Sequence, residues 1–254
     1  MDIIKKKPII SWYRFGDPTL NYDWIKKLTE INIIKTKKLT DDFIKICIDN
    51  KHRIFLHIVI TGMGKTPFEP NIPTVKETFY SIKKLIDFGF PQKQILVCVE
   101  NIIPNQNGLK ALELLLRVFT EFRQLRLRFI RFNVLKFTQD NGVFQIKNDN
   151  INKRPQVKAL QQFLFTTPSF FKDYFNLIQK YQGIISVDKG EEAIIGTREL
   201  LAFGYRNEWI DENGLRTKLI EYENGNKYKP ILNIISNKRN IRCSNKCLLC
   251  IGFN

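Results

Sequence analysis

The stretch Cys243-Ser244-Asn245-Lys246-Cys247-Leu248-Leu249-Cys250 gathers three of the chain's five cysteines at the spacing C-x3-C-x2-C. Closely spaced thiolates bind zinc or iron–sulfur clusters. A structural zinc site is closed by four ligands, as a rule from two separated pairs. Here one triplet stands alone, and a fourth zinc ligand would have to come from His52, His57, Cys47 or Cys98, none in a ligand-like context. A cubane cluster has four irons, of which a single loop of three cysteines reaches three, so the fourth is open to a small molecule. The count favours a cluster with one open iron, and a zinc site is the alternative.

Other residues whose types suggest chemistry carry less. Ile60-Thr61-Gly62-Met63-Gly64-Lys65-Thr66 ends like a phosphate-binding loop. That motif needs glycine where Val59 stands, and Pro67 then delays the next helix. The segment reads instead as a glycine-bearing loop at the C-terminal end of a strand, the edge where parallel α/β folds bind ligands. In Phe122-Arg123-Gln124-Leu125-Arg126-Leu127-Arg128-Phe129-Ile130-Arg131-Phe132, Arg123 and Arg126 read as solvated. Arg131 lies nearer the functional end of a strand, so Arg131 and Lys136 are the candidate substrate-binding residues. Of the two histidines, His52 reads as a surface residue between Lys51 and Arg53, and His57 as a packed residue in mid-strand. No HExxH and no G-x-S-x-G is present, which leaves zinc-protease and serine-hydrolase chemistry without support. Cys47 and Cys98 sit among apolar residues and read as small buried hydrophobes.

The elements that must position these groups alternate. Strands are expected at 8–12, 33–36, 54–60, 94–99, 127–134 and 184–187. Between them, helices are expected at 19–30, through Phe43, Ile44 and Cys47, from Thr74 to Gly89, and over 108–122, 155–165, 168–181 and 191–203. Thr74 with Glu77 makes a capping box, and Gly89 suits a helix stop. Continuous apolar strands separated by amphipathic helices predict a parallel sheet covered by helices, as in a partial or complete TIM-like (β/α) barrel. After 204 the texture changes to strands at 209–211, 215–222 and 231–236, with Asn213-Gly214 and Asn224-Gly225 supplying tight turns, so a β-hairpin insertion is expected near 205–230.

Composition sets the outer bounds. The 254 residues, 43% hydrophobic with Phe 20, suffice for one large globular domain, and no linker divides it. A net charge of +16 favours a polyanionic partner, most simply nucleic acid, although abundant Lys, Ile and Asn also follow from an AT-rich genome. No apolar run approaches the about 20 residues of a membrane helix, and Met1–Trp12 lacks the apolar core of a secretory signal. A cytoplasmic protein with no membrane partner, and with cysteines as metal ligands rather than disulfides, is the expectation.

The C-x3-C-x2-C triplet resembles the signature of the radical SAM superfamily, with Leu249 where an aromatic residue is usual. That signature normally follows the first strand of a partial TIM barrel. A family of bacterial proteins known only as a conserved domain of unknown function is similar in carrying its triplet at the C-terminus. The likeness extends to Ile9-Ile10-Ser11 through Arg14 and Asp17-Pro18, and to Thr61-Gly62 with Gly64-Lys65, Glu69-Pro70-Asn71 and Pro73. Cys98-Val99-Glu100-Asn101 falls where that family tends to have Arg-Tyr-Asp-Pro, with Glu100 keeping the acidic character.

The resemblance implies a single barrel domain over 1–254, circularly permuted so that the cluster loop is C-terminal. The strand 231–236 takes the place of the usual first strand, and the strand at Ile9–Trp12 lies beside it. It implies that Cys243, Cys247 and Cys250 hold a [4Fe-4S] cluster whose open iron binds S-adenosylmethionine. The activity implied is one-electron cleavage of that cofactor and hydrogen abstraction from a substrate, with nucleic acid or a nucleotide as the favoured class. An electron donor is the implied partner. Ser11, Arg14, Thr61, Glu100 and Asn133, polar residues at strand ends, are the candidates for holding S-adenosylmethionine. The alternative is a non-catalytic nucleic-acid-binding protein with a structural zinc site on the C-terminal cysteines.

Overall fold

β-branched runs with few polar interruptions build the centre of the molecule, because such side chains suit a pleated surface that is buried on both faces. The computed structural model describes residues 9–15, 17–127, 129–135, 137–140, 143–146, 165–184, 186–187, 194–195, 199, 202–203, 205–206, 210–211, 220–222, 227–228 and 231–236. The first half alternates strand and helix. It runs β1 (Ile9–Phe15), β2 (Ile31–Thr36), α1 (Asp41–Asp49), β3 (Ile54–Ile60), α2 (Val75–Asp87), β4 (Ile95–Ile102), α3 (Gln106–Glu121) and β5 (Phe129–Val134). A hairpin of β6 (Phe137–Asp140) and β7 (Val143–Ile146) follows, then α4 (Phe170–Gln179) and β8 (Ser186–Val187). Short strands come next: β9 (Ile194–Ile195), β10 (Tyr205–Arg206), β11 (Ile210–Asp211), β12 (Ile220–Tyr222) and β13 (Lys227–Tyr228), before β14 (Ile231–Ser236).

Seven strands form one sheet in the order β14-β1-β2-β3-β4-β5-β8, and every neighbouring pair is parallel. β14 therefore lies at an edge beside β1, with Ile231 opposite Ile9 and Ile234 opposite Trp12. Among the described residues β14 and β8 are the two sheet edges, with no pairing between them. β10, β12 and β13 make a separate antiparallel sheet within the expected insertion, and β9 pairs antiparallel with β11.

Strand alternation sorts the sheet's side chains onto two faces. Ile54, Leu56, Ile58 and Ile60 of β3 join Ile95, Val97 and Val99 of β4 under the helices, in the larger core. Phe79 of α2 meets Phe119 of α3 there, ring centroids 5.6 Å apart and edge to face, and its burial is worth about 2–3 kcal/mol. The other face carries Ile10, Ile31, Ile33, Phe55, Val59, Leu96 and Cys98, and Ala202 and Phe203 pack onto it.

The helix starts and stops follow local chemistry. Thr74 caps α2 with Glu77 completing the capping box, and Gly89 follows it at φ +90°. Asn105 caps α3 by accepting from the N–H groups of Asn107 and Gly108. Two expected helices differ. Over 19–30 the chain forms only a 3-10 turn at Asp23–Lys27, because Asn21 accepts from the Asp23 N–H in a local turn and Trp24 alone is buried. Within 191–203, Ile194 and Ile195 are extended and pair with Asp211 and Ile210, while Glu199 is helical. The helix expected at 155–165 lies outside the described residues apart from Phe165.

Candidate functional site

Side-chain parity puts charge on the face opposite the helices, toward the C-terminal ends of the strands. Lys35 shares the face of Ile31 and Ile33 on β2, His57 that of Phe55 and Val59 on β3, and Cys98 and Glu100 that of Leu96 on β4. Register aligns Lys35 with His57, Val59 with Cys98, and Cys98 with Arg131 of β5. On β2 and β4 the lower positions of this face are thus apolar and the last ones charged, while on β3 His57 stands between Phe55 and Val59. Lys35, His57, Cys98, Glu100, Arg131, Phe132 and Asn133 close around a space of only about 10 Å³, so they form a floor and not a pocket.

The charges balance one for one. Lys35 pairs with Glu100. Glu199 reaches in from the far part of the chain: its Oε1 accepts from His57 Nε2 at 2.8 Å and from Arg131 Nη2 at 3.0 Å. Burial pushes the Glu199 carboxyl up, but the hydrogen bond from His57 and the charge of Arg131 outweigh it, and the net shift is down. Burial also holds the His57 imidazole below its ordinary value, against the upward pull of Glu199. A neutral His57 donating Nε2–H to an anionic Glu199 is the resulting state. Burial raises the Cys98 thiol to about 12, so Cys98 is a neutral thiol at neutral pH.

β4 ends irregularly beside this floor. Its register with β5 shifts between Val99 and Ile102, and Asn101 adopts φ +57°. Such a bulge re-aims neighbouring side chains, and it does so directly after Glu100.

The structure brings Glu100, Asn133 and Arg131 together, as their shared strand ends predict. It does not bring Ser11 to them. Ser11 has the parity of Tyr13, on the helix-covered face, and its Oγ hydrogen-bonds Thr29 Oγ1 at 2.8 Å. Thr61 is committed elsewhere: its hydroxyl donates to buried Glu69, which also pairs with Lys37, and accepts from the Met63 N–H. Arg14 belongs to β1, but its side chain lies outside the described residues, as do Lys136, Cys243, Cys247 and Cys250. Among the described residues no three His, Cys, Asp or Glu side chains group as metal ligands.

The loop resembling a phosphate cradle is closed on itself. The Lys65 N–H bonds the Glu69 and Ile72 carbonyls, and the Thr66 N–H bonds the Met63 carbonyl. The amides a phosphate would need are used, as the missing glycine at Val59 leads one to expect.

Lys35, His57, Cys98 and Glu199 are the members that motif reading passes over. Lys35 has a signal, since a charge at the inward parity of an Ile-rich strand must find a buried partner. Glu199 has none, standing 142 residues from His57. No helix among the described residues is long and apolar enough to cross a membrane. No family model matches the chain, and no curated protein or solved structure matches it either.

Proposed function

We propose that the chain is a radical S-adenosylmethionine enzyme built on a circularly permuted, barrel-like sheet. The observation that carries this reading is the parallel pairing of β14 with β1 at the sheet edge. It makes the strand nearest the cysteines in sequence the first of a series that then runs β1 to β5 in chain order. Ser236 ends β14, and Cys243 follows 243 − 236 = 7 residues later, a reach of at most about 25 Å. That reach allows the cysteine triplet to stand at the C-terminal ends of the strands, where Lys35, Glu100, Arg131 and Asn133 converge.

The donor chemistry fits the implied group. Cys243, Cys247 and Cys250 supply three thiolates, one fewer than the irons of a [4Fe-4S] cluster. Bound together with S-adenosylmethionine, that cluster supplies a one-electron reduction that yields a hydrogen-abstracting carbon radical. The remaining work belongs to the protein. Asn133 offers an acceptor for amine and hydroxyl groups, and a ligand's amine and carboxylate would exchange with the Lys35–Glu100 pair. Apolar Ile10, Ile31, Ile33 and Phe55 seal the floor from below, which strengthens every polar contact above it. An electron donor is the required partner. The net charge of +16, with Arg131 and Lys136 five residues apart in sequence, supports nucleic acid or a nucleotide as substrate.

The same charge supports the second reading, a nucleic-acid-binding protein with structural zinc. Metal analysis of anaerobically purified protein separates the two. The first predicts about four irons and matching sulfide per chain, lost in Cys247→Ala. The second predicts one zinc, colourless protein and binding that weakens steeply with salt.

A further inference from the structure

Back to back with the charged floor, across β4, lies a cavity of about 290 Å³. It opens between the loop after β3, the end of β4 and the first turns of α3. No charged side chain lines it, in a chain with Lys+Arg 41 and Asp+Glu 25. Met63, Phe68, Ile103, Ala111 and Leu112 give it apolar walls. The two hydroxyls at its edge are spent within the protein, Thr61 on Glu69 and Thr66 on the Met63 carbonyl at 2.5 Å.

An apolar void of this size normally shrinks as its walls relax inward. Here two walls are backbone held from behind. A Cβ on Gly62 would lie 3.0 Å from the Ala111 Cβ, and one on Gly108 would lie 1.9 Å from the Ile103 carbonyl oxygen. Both walls are therefore already in contact and cannot advance. The 61–69 loop, to which Gly62 belongs, is also fixed by the fully buried Glu69, which Thr61 and Lys37 both grip. The cavity is preformed.

We propose that this cavity binds an uncharged, bicyclic aromatic small molecule. An apolar cavity of about 150 Å³ accepts benzene, and this one has roughly twice that volume. Asn101 and Asn107 are its remaining polar side chains, and the lining carries no charge to repay the desolvation of an anion or an ammonium group. Met63 and Phe68 offer a thioether and a ring, which favour aromatic over aliphatic occupants. The proposal is independent of the cysteines and of the reaction assigned to them.

The chain's two methionines make the test direct, since only Met1 and Met63 carry a thioether methyl. Full-length protein labelled with 13C at the methionine methyl is titrated with indole. The Met63 resonance shifts saturably and Met1 does not, while indole-3-acetate, the charged analogue, produces no saturable shift. Ala111→Phe, which fills the cavity, weakens indole binding by at least about tenfold with the circular dichroism unchanged. If that variant does not fold, Phe68→Ala removes one wall and gives a loss in the same direction. A Met63 signal that indole leaves unmoved up to its solubility limit overturns the proposal. So does a shift of equal size with indole-3-acetate, or binding that both folded variants retain at full strength.

Discussion

Glu199 Oε1 lies 2.8 Å from His57 Nε2, joining the middle of β3 to a residue 142 positions later, with both side chains buried. The same oxygen holds Arg131 Nη2 at 3.0 Å, so one carboxylate ties β3 and β5 to the segment that packs on the face opposite the helices. Without Glu199 the Arg131 guanidinium stays buried beside a neutral imidazole. Removing one partner of a buried pair costs far more than removing a surface pair. Glu199→Ala is expected to lower unfolding stability by about 3–5 kcal/mol in urea titrations. Asp87→Asn, which breaks the exposed pair with Lys83, is expected to cost less than about 0.5 kcal/mol. Equal effects in the two variants would contradict the buried network.

The same pair sets a pH dependence. Unfolded His57 takes up its proton near the ordinary value of 6.5, while the buried imidazole does so only at lower pH. Between those values the unfolded chain binds more protons, so stability rises with pH, is fully present above 6.5, and falls as pH drops through the folded value. Glu199, lowered from 4.5, adds stability above that value that is lost below it, with the same sign. His57→Gln keeps an N–H for Glu199 and removes the titration. Its urea midpoint is expected to be flatter than the wild type's between about pH 6.5 and pH 5. Parallel curves for the two proteins would place the titrating group elsewhere.

Two glycines with opposite surroundings test the α3 end of β4. A Cβ on Gly108 meets the Ile103 carbonyl oxygen at 1.9 Å, and one on Gly183 meets nothing within 4 Å. Gly108→Ala is expected to cost about 3 kcal/mol, since a backbone oxygen cannot step aside. Gly183→Ala stays within about 0.5 kcal/mol. Thermal unfolding of both reads the difference.

The capping box at Thr74 and Glu77 makes a smaller, local claim. Thr74 Oγ1 accepts from the Glu77 N–H at 3.3 Å, and Glu77 Oε2 accepts from the Thr74 N–H at 2.7 Å. Thr74→Ala loses one acceptor at an exposed helix start and is expected to cost about 1 kcal/mol. A change below about 0.2 kcal/mol would mean that water replaces the cap fully.

That capping box was legible because its spacing is local, and so were the β2 to β5 strands, whose β-branched runs exceed any helical alternative. The place of β14 beside β1 was legible only as what the resemblance of the cysteine triplet implies. The buried charges were harder. Lys35 carries its signal in strand parity, and a reading that counts inward positions finds it. His57 looks like a packed core residue because it is one, and only the tertiary fold shows that its neighbour is Glu199. The 19–30 segment fails as a helix because Asn21 and Asp23 bond locally, and Ile194–Ile195 because β11 offers it a strand partner. Ser11 and Thr61 look alike in sequence as polar residues at strand ends. Thr29 and Glu69, the groups that occupy them, come from separate connections.

The central claim is a cluster with one iron left open for S-adenosylmethionine. Electron paramagnetic resonance of anaerobically purified, reduced protein tests it most directly. The account predicts a [4Fe-4S] signal that changes shape when S-adenosylmethionine is added, and no such signal in Cys243→Ala, Cys247→Ala or Cys250→Ala. A protein that holds one zinc and gives no signal would contradict it, and so would a cluster signal that S-adenosylmethionine leaves unchanged.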